Sequence, residues 1–468
     1  MTMRRLVAAT GAALAASVAV PAAASAHGLA GRSDLPIPPY LFGWGAALVL
    51  VLSFLALAFL WPRPRLQEVR ERALLDVPRG VDVLCGAIGV FLLALVVVSG
   101  LAGTPTAAAN FADTFIYVTF WVGLVVVSLL LGNVFGAFNP WLALARAGRW
   151  AWRRAGRTWP DPLPYPARLG RWPAVAGIAC FAWLELIAHD RTDPRLLAIL
   201  ALVYALVQLA GMGLYGIEAW TERGDAFAVY FGLFGRLAPL RRVGREVRLR
   251  PPLAGAPALS LLPGTVALVC LMIGTTSYDG LESTTLWSKI DPHLQNAFSF
   301  LGSAGAEEAA GTIGLMVMIA LVAVLYLLGV EGMRTVGGGT DGADLARRFV
   351  HTLIPIAAAY VVAHYFSFLV FNGQALAALA SDPLGSGANL FGTAGWNIDY
   401  NVISGAGIWY VQVAALITGH VGGLVLAHDR AVSEYRNPRE ATRSQHYMLA
   451  VMVGFTSLAL WLLASINA

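Results

Sequence analysis

The chain has 468 residues, 58% of them hydrophobic and 13% charged, with a mean hydropathy of +0.67 and a formal net charge of +5. Soluble domains carry about 25% charged residues, so half the usual charge has been replaced by apolar side chains and a water-soluble globule is excluded. The basic balance does not point to nucleic acid, because anionic inner-leaflet lipid accounts for it.

The chain opens with Arg4 and Arg5, an apolar run and the small-residue site Ala24-Ser25-Ala26. That is the pattern of a cleaved secretory signal over 1–26. Cleavage would leave His27 as the first mature residue, outside the cytoplasm. Its α-amine and imidazole together form a natural chelate for Cu(II).

About 20 apolar residues cross a hydrocarbon core of about 30 Å as helix. Ten such windows follow, near 39–61, 81–101, 111–134, 171–188, 195–219, 257–275, 310–332, 348–371, 406–427 and 445–465. With the mature N-terminus outside, five cytoplasmic loops collect 26 of the 32 Lys and Arg residues, and only Arg32, Arg191, Arg195 and Lys289 stay outside. This alternation is what positive-inside topology demands. Asp113, Asp279, Glu282, Glu307 and Glu308 are among the acids assigned to the exterior.

Two cytoplasmic stretches, "FNPWLALARAGRWAWRRAG" and "DAFAVYFGLFGRLAPLRRVGR", mix aromatic and apolar residues with arginines, as helices lying at the headgroup boundary do. Two long exterior loops, "SYDGLESTTLWSKIDPHLQNAFSFLGSAGAEE" and "ASDPLGSGANLFGTAGWNIDYNVISG", are rich in turn residues and long enough to cover a cavity. The expected architecture is therefore all-α: an integral bundle of about ten transmembrane helices, a single domain over 27–468, with both termini outside the cytoplasmic membrane and two interfacial helices inside it.

Motifs for soluble chemistry are missing. There is no HExxH, GxSxG or Walker A sequence, and the single lysine, Lys289, removes Schiff-base and P-loop lysine chemistry. Gly337, Gly339 and Gly342 satisfy GxGxxG, but no strand precedes them, so they read as a connector. Cys85, Cys180 and Cys270 sit in three separate apolar segments and read as small bundle residues.

What remains is a sparse set of polar groups inside the spans, where ionisable side chains usually face a cavity or a partner. His364 lies about 12 Å below Asn372, taken with Gln374 as the outer boundary of its span. Gln412 falls at about 9 Å and His420 at about 21 Å below the start of the next span. Glu185 and His189 are spaced i, i+4 and would share a helix face; with Asp113 they could meet His364 and Gln412 in one outward-open pocket holding a divalent metal and a water. A hydrogen bond from each histidine to a neighbouring helix, and a structural pairing of Glu185, explain the same residues. His351 and His428 read as interfacial.

"HGLAGRSDLPIP", "WPRPRLQ", "FNPW", "GDAFAVYFGLFGRLAP", "AHYFSFLVFNGQ", "SDPLGSGANLFGTAG" and "GIWYVQVAALITGHVGGLVLAHDRA" together resemble a family of bacterial, largely actinobacterial, membrane proteins labelled fenitrothion hydrolase. The resemblance spans almost the whole mature chain. It implies a membrane-bound hydrolase of organophosphate triesters, and triester hydrolysis usually needs a metal-activated hydroxide. On that reading His364, His420 and Glu185 are candidate ligands for zinc, manganese or copper, with His27 as a further copper ligand, and Gln412 or Asn372 would donate to the phosphoryl oxygen. A transporter for a metal ion or small solute is the second reading, with Pro355 and Gly419, Gly422 and Gly423 as places where helices could break near the midplane. A haem or copper redox protein is the third; only His351 and His428 match in depth for bis-histidine haem.

Overall fold

The computed structural model describes residues 39–337, 341–435 and 437–466. The expected signal over 1–26, and His27 with it, lies outside the described residues, as does Gly339 of the glycine motif.

In chain order, α1 (Pro39–Leu60) leads to β1 (Arg72–Asp76) and α2 (Arg79–Ala102). Next comes α3 (Phe111–Leu131), π-helical over Phe115–Gly123, and then α4 (Pro140–Arg154). After α5 (Trp172–Leu186), α6 (Pro194–Tyr215), α7 (Ile217–Arg223) and α8 (Ala226–Gly235), the chain forms β2 (Leu240–Val243) and β3 (Glu246–Leu249). The remainder is α9 (Thr265–Glu282), α10 (Trp287–Ala297), α11 (Gly302–Gly337), α12 (Gly342–Phe349), α13 (Ile354–Ser381), α14 (Gly405–Glu434) and α15 (Pro438–Ile466).

This is an all-α membrane bundle. Eight of its described helical stretches are long and apolar enough to cross a bilayer. The ten expected windows each coincide with a helix; α5, with 15 residues, and α9, which carries Asp279 and Glu282, are the two outside those eight. Both pack inside the bundle, α9 against α5, α11 and α13. Lipid-facing helices such as α2 and α6 leave leucines and valines exposed, whereas α13 is buried along most of its length.

Small residues set the central crossing. A Cβ added at Gly419 of α14 would lie 2.3 Å from Ala359 Cβ and 2.5 Å from the Pro355 carbonyl oxygen of α13. Small residues let helix backbones approach closely where water supplies no driving force. The glycines thus pack an unbroken α14, and Pro355 occupies the first turn of α13, where its missing N–H has no partner to lose. Neither breaks a helix, contrary to the expectation above.

Three further differences have physical causes. A three-stranded antiparallel sheet, in the order β1-β3-β2, joins the segments after α1 and α8. The second of the two arginine-bearing stretches contains α8, which is buried on nearly every face and therefore does not lie at a headgroup boundary. By contrast α4 buries only Pro140, Trp141 and Leu142, as an interfacial helix should. Finally, α13 runs on to Ser381, so Asn372 and Gln374 sit within it; both amide atoms of Gln374 bond the backbone of Asp399, at 3.0 and 3.1 Å, and pin the long loop before α14.

Two buried aspartates hold the sheet end together. Asp225, at the start of α8, accepts from Asn139 Nδ2 (2.8 Å), Trp141 Nε1 (2.6 Å), Tyr204 Oη (3.0 Å) and the Ala228 amide (3.2 Å). Asp429 of α14 accepts from Trp61 Nε1 (2.9 Å), Gln67 Nε2 (2.7 Å) and the amides of Arg65 (2.5 Å) and Leu66 (3.2 Å). A fully buried carboxylate persists when donors satisfy it, and here each does so by fastening a loop to a helix.

Candidate functional site

The second half of α9, from Thr275 to Gly280, is buried throughout. Its hydroxyls turn back onto the helix: Thr275 donates to the Met272 carbonyl at 3.2 Å and Ser277 to that of Ile273 at 2.8 Å. Asp279 instead points across to α13, where its Oδ2 lies 2.8 Å from His364 Nε2. The Tyr365 hydroxyl is a second hydrogen-bond partner of Asp279. With the carboxylate ionised, Nε2 is the donor of this contact. Nδ1 faces Gly280, 3.9 Å from where a Cβ would stand. On this side lies a cavity of about 30 Å³, lined by Thr276, Ser277, Tyr360, His364 and Leu416 among others. A space of this size has room for about one water.

Glu185, on the last turn of α5, is within electrostatic reach of Asp279 and hydrogen-bonds Trp121. Trp121 belongs to the π-helical part of α3, and π segments frequently mark functional positions. There the wider winding carries Tyr117 and Trp121 toward α5: Tyr117 donates to the Arg191 carbonyl at 2.6 Å, and Trp121 stacks on Tyr230 of α8 at 4.6 Å. Arg191 donates to the Leu186 carbonyl at 2.7 Å and lies within electrostatic reach of both Glu185 and Glu282. Glu282, Asp279 and Glu185 therefore form a series of carboxyl groups running inward from the end of α9, with His364 on Asp279.

Of the residues expected to converge, His364 meets Asp279, and Glu185 lies within electrostatic reach of that aspartate without a contact to His364. Gln412 is buried on α14, one turn from the cavity-lining Leu416 and on its face. Asn372 is partly buried two turns along α13 from His364. His420 is fully buried with Nδ1 on the Leu416 carbonyl at 2.7 Å and its ring 6.1 Å from that of Tyr360, the packing of a structural imidazole. His428 Nε2 meets the Trp61 carbonyl at 3.1 Å, and His351 is buried beside α12. The helical face proposed for Glu185 and His189 does not exist, because α5 stops at Leu186; the His189 amide instead donates to Glu308 Oε1 at 3.0 Å. Among the described residues no group of three or more His, Cys, Asp or Glu could hold a metal ion, so His364, His420 and Glu185 are not a joint ligand set.

Asp279, Tyr365 and Trp121 escaped the sequence reading. An apolar window that begins at 257 ends before Asp279 and leaves it among the loop acids. Pro263-Gly264 is a turn signal, and Gly264 indeed takes φ +83° just before α9; starting the helix after it brings Asp279 inside. No comparable signal marks Trp121. Comparison with known protein families, with curated proteins and with solved structures finds no match for this chain.

Proposed function

We propose that this chain is a proton-coupled transporter for a small solute or ion, with Glu185, Asp279 and His364 as its protonatable centre. The observation that carries the reading is the 2.8 Å contact of His364 Nε2 with Asp279 Oδ2 inside the bundle. Ionisable groups at such depth are expensive, and chains of Asp, Glu and His mark proton relays in pumps and transporters. The charge distribution fits ten crossings of the cytoplasmic membrane, with the sheet, α4 and the other arginine-rich segments in the cytosol and Glu282, Glu307 and Asp399 outside.

A second reading keeps the fenitrothion hydrolase resemblance. Asp279 would orient the imidazole of His364 beside the cavity that it lines, as the partner of a general base does. Against it stands size: small-molecule sites run to about 300–1,000 Å³, and this cavity is about 30 Å³.

Both readings are tested on one preparation. The protein is placed in proteoliposomes that enclose a pH-reporting dye, a potassium diffusion potential is imposed with valinomycin, and a p-nitrophenyl phosphate triester is supplied in parallel. Transport requires proton influx above that of empty liposomes, reduced roughly 10²-fold in Asp279→Asn. Influx equal to that of empty liposomes overturns it. Nitrophenol release that disappears in the same variant establishes the hydrolase.

A further inference from the structure

The positive-inside pattern explains why arginines gather at one end of the bundle, but not the geometry of α4. Between Pro140 and Arg157 there are five arginines and no acid. Only Arg149 has a carboxylate within ion-pair distance among the described residues, Glu218 at 3.6 Å. Arg146 lies within electrostatic reach of Asp82, but Asp82 is already taken by Arg242, with Nη2 to Oδ2 at 2.7 Å, and Arg245 is also near. The cluster keeps an excess of positive charge.

The same helix exposes large apolar surface. Trp150 is 61% and Trp152 38% exposed, with Leu144 beside them. Arg154 stands 5.5 Å over the Trp150 ring and Arg157 4.8 Å over that of Trp152. The N-terminal end of the helix is fixed: Trp141 is bonded to Asp225, and Ala143 packs so close to Gly86 of α2 that a Cβ there would come within 2.9 Å. The arginines are therefore presented on a rigid support, and little ordering is left for binding.

We infer that the exposed C-terminal half of α4, with Arg146, Arg153 and Arg154, binds the headgroup of an anionic phospholipid. Guanidinium forks match phosphate oxygens bidentately, tryptophan rings settle at headgroup level, and each basic residue adds attraction to an anionic surface. A nucleic acid would satisfy the arginines but leave Leu144 and Trp150 in water. Lipid supplies both environments, and the site is independent of the proton-relay reading.

The test uses the whole protein, in nanodiscs made from equal phosphatidylglycerol and phosphatidylcholine and then extracted into detergent. Retained lipid is identified by mass spectrometry, for wild type and for the triple variant Arg146→Gln, Arg153→Gln, Arg154→Gln. Wild type should retain phosphatidylglycerol preferentially, and the triple variant should lose that preference roughly tenfold or more. Equal retention of the two lipids by wild type, or an unchanged preference in the variant, overturns the inference. Should the variant not fold, wild type is washed in rising salt: loss of phosphatidylglycerol alone supports an ionic headgroup site, and salt-independent retention of it overturns one.

Discussion

His364 Nε2 and Asp279 Oδ2 stand 2.8 Å apart across α13 and α9, and the pair is nearly sealed, each side chain 9% exposed. Replacing Asp279 by Asn keeps shape, volume and one acceptor oxygen but removes the ionisable carboxyl beside the imidazole. Proton flux in proteoliposomes should fall roughly 10²-fold, while the melting temperature moves by only a few degrees. A variant that melts far lower and loses flux in proportion would mark the pair as structural.

Trp121 touches Glu185 from the π-helical turn of α3. On the proton-relay proposal it positions Glu185, so Trp121→Phe should leave the protein folded and displace the pH midpoint of flux, with a smaller loss of maximal rate. Glu185→Gln should abolish the pH dependence in that range. An unshifted pH profile in Trp121→Phe would show that the indole only fills space.

The positions of the long helices were legible because the hydrophobic windows are long and the arginines alternate, two signals that fail independently; eight of the ten windows meet the length and apolarity of a span. The site was only half legible. Glu185 and His364 stand out as ionisable groups inside apolar runs, whereas Asp279 follows Thr275, Thr276 and Ser277, whose hydroxyls lower the hydropathy although they are satisfied within their own helix. Burial of α8 was unreadable for another reason: its composition, "AFAVYFGLFG", suits a headgroup boundary as well as a core. The short motifs proved to be halves of clamps. Asn139 and Trp141 of "FNPW" need Asp225 of "GDAF", and Trp61 and Gln67 of "WPRPRLQ" need Asp429 of "AHDRA".

Asp225→Ala tests the first clamp. It would leave two indole or amide donors, a tyrosine hydroxyl and a helix N-terminal amide without their acceptor. Removing one side of a buried charged network costs on the order of 3–5 kcal/mol, enough to be read as a marked drop in the detergent melting curve. The α4 segment should loosen first, seen as faster amide exchange over 138–154 than over α9. Uniform exchange across both would mean that the clamp serves the fold as a whole.

Sidedness can be read by labelling. In a chain with Cys85, Cys180 and Cys270 replaced by alanine, a single cysteine at Arg245, on the turn between β2 and β3, should resist an impermeant maleimide in intact cells and react after lysis. One at Trp396, 63% exposed in the loop before α14, should react in intact cells. Reaction at both positions, or the reverse order, would reject the proposed orientation.

Gly419 offers a test of how tightly the centre is held. Valine there would force its Cβ against Ala359 Cβ and the Pro355 carbonyl, 2.3 and 2.5 Å from the unrelaxed position. Neither neighbour is a flexible side-chain end, so α14 must move away from α13, at a cost of about 1–3 kcal/mol or more. Gln412 and Leu416 move with α14, while Asp279 and His364 lie on α9 and α13 and do not. Gly419→Val should therefore destabilise the protein and widen the cavity beside His364 while keeping the Asp279 contact, so flux per folded molecule should change less than in Asp279→Asn. If the two variants lose flux equally, α14 is as much a part of the proton path as the dyad itself.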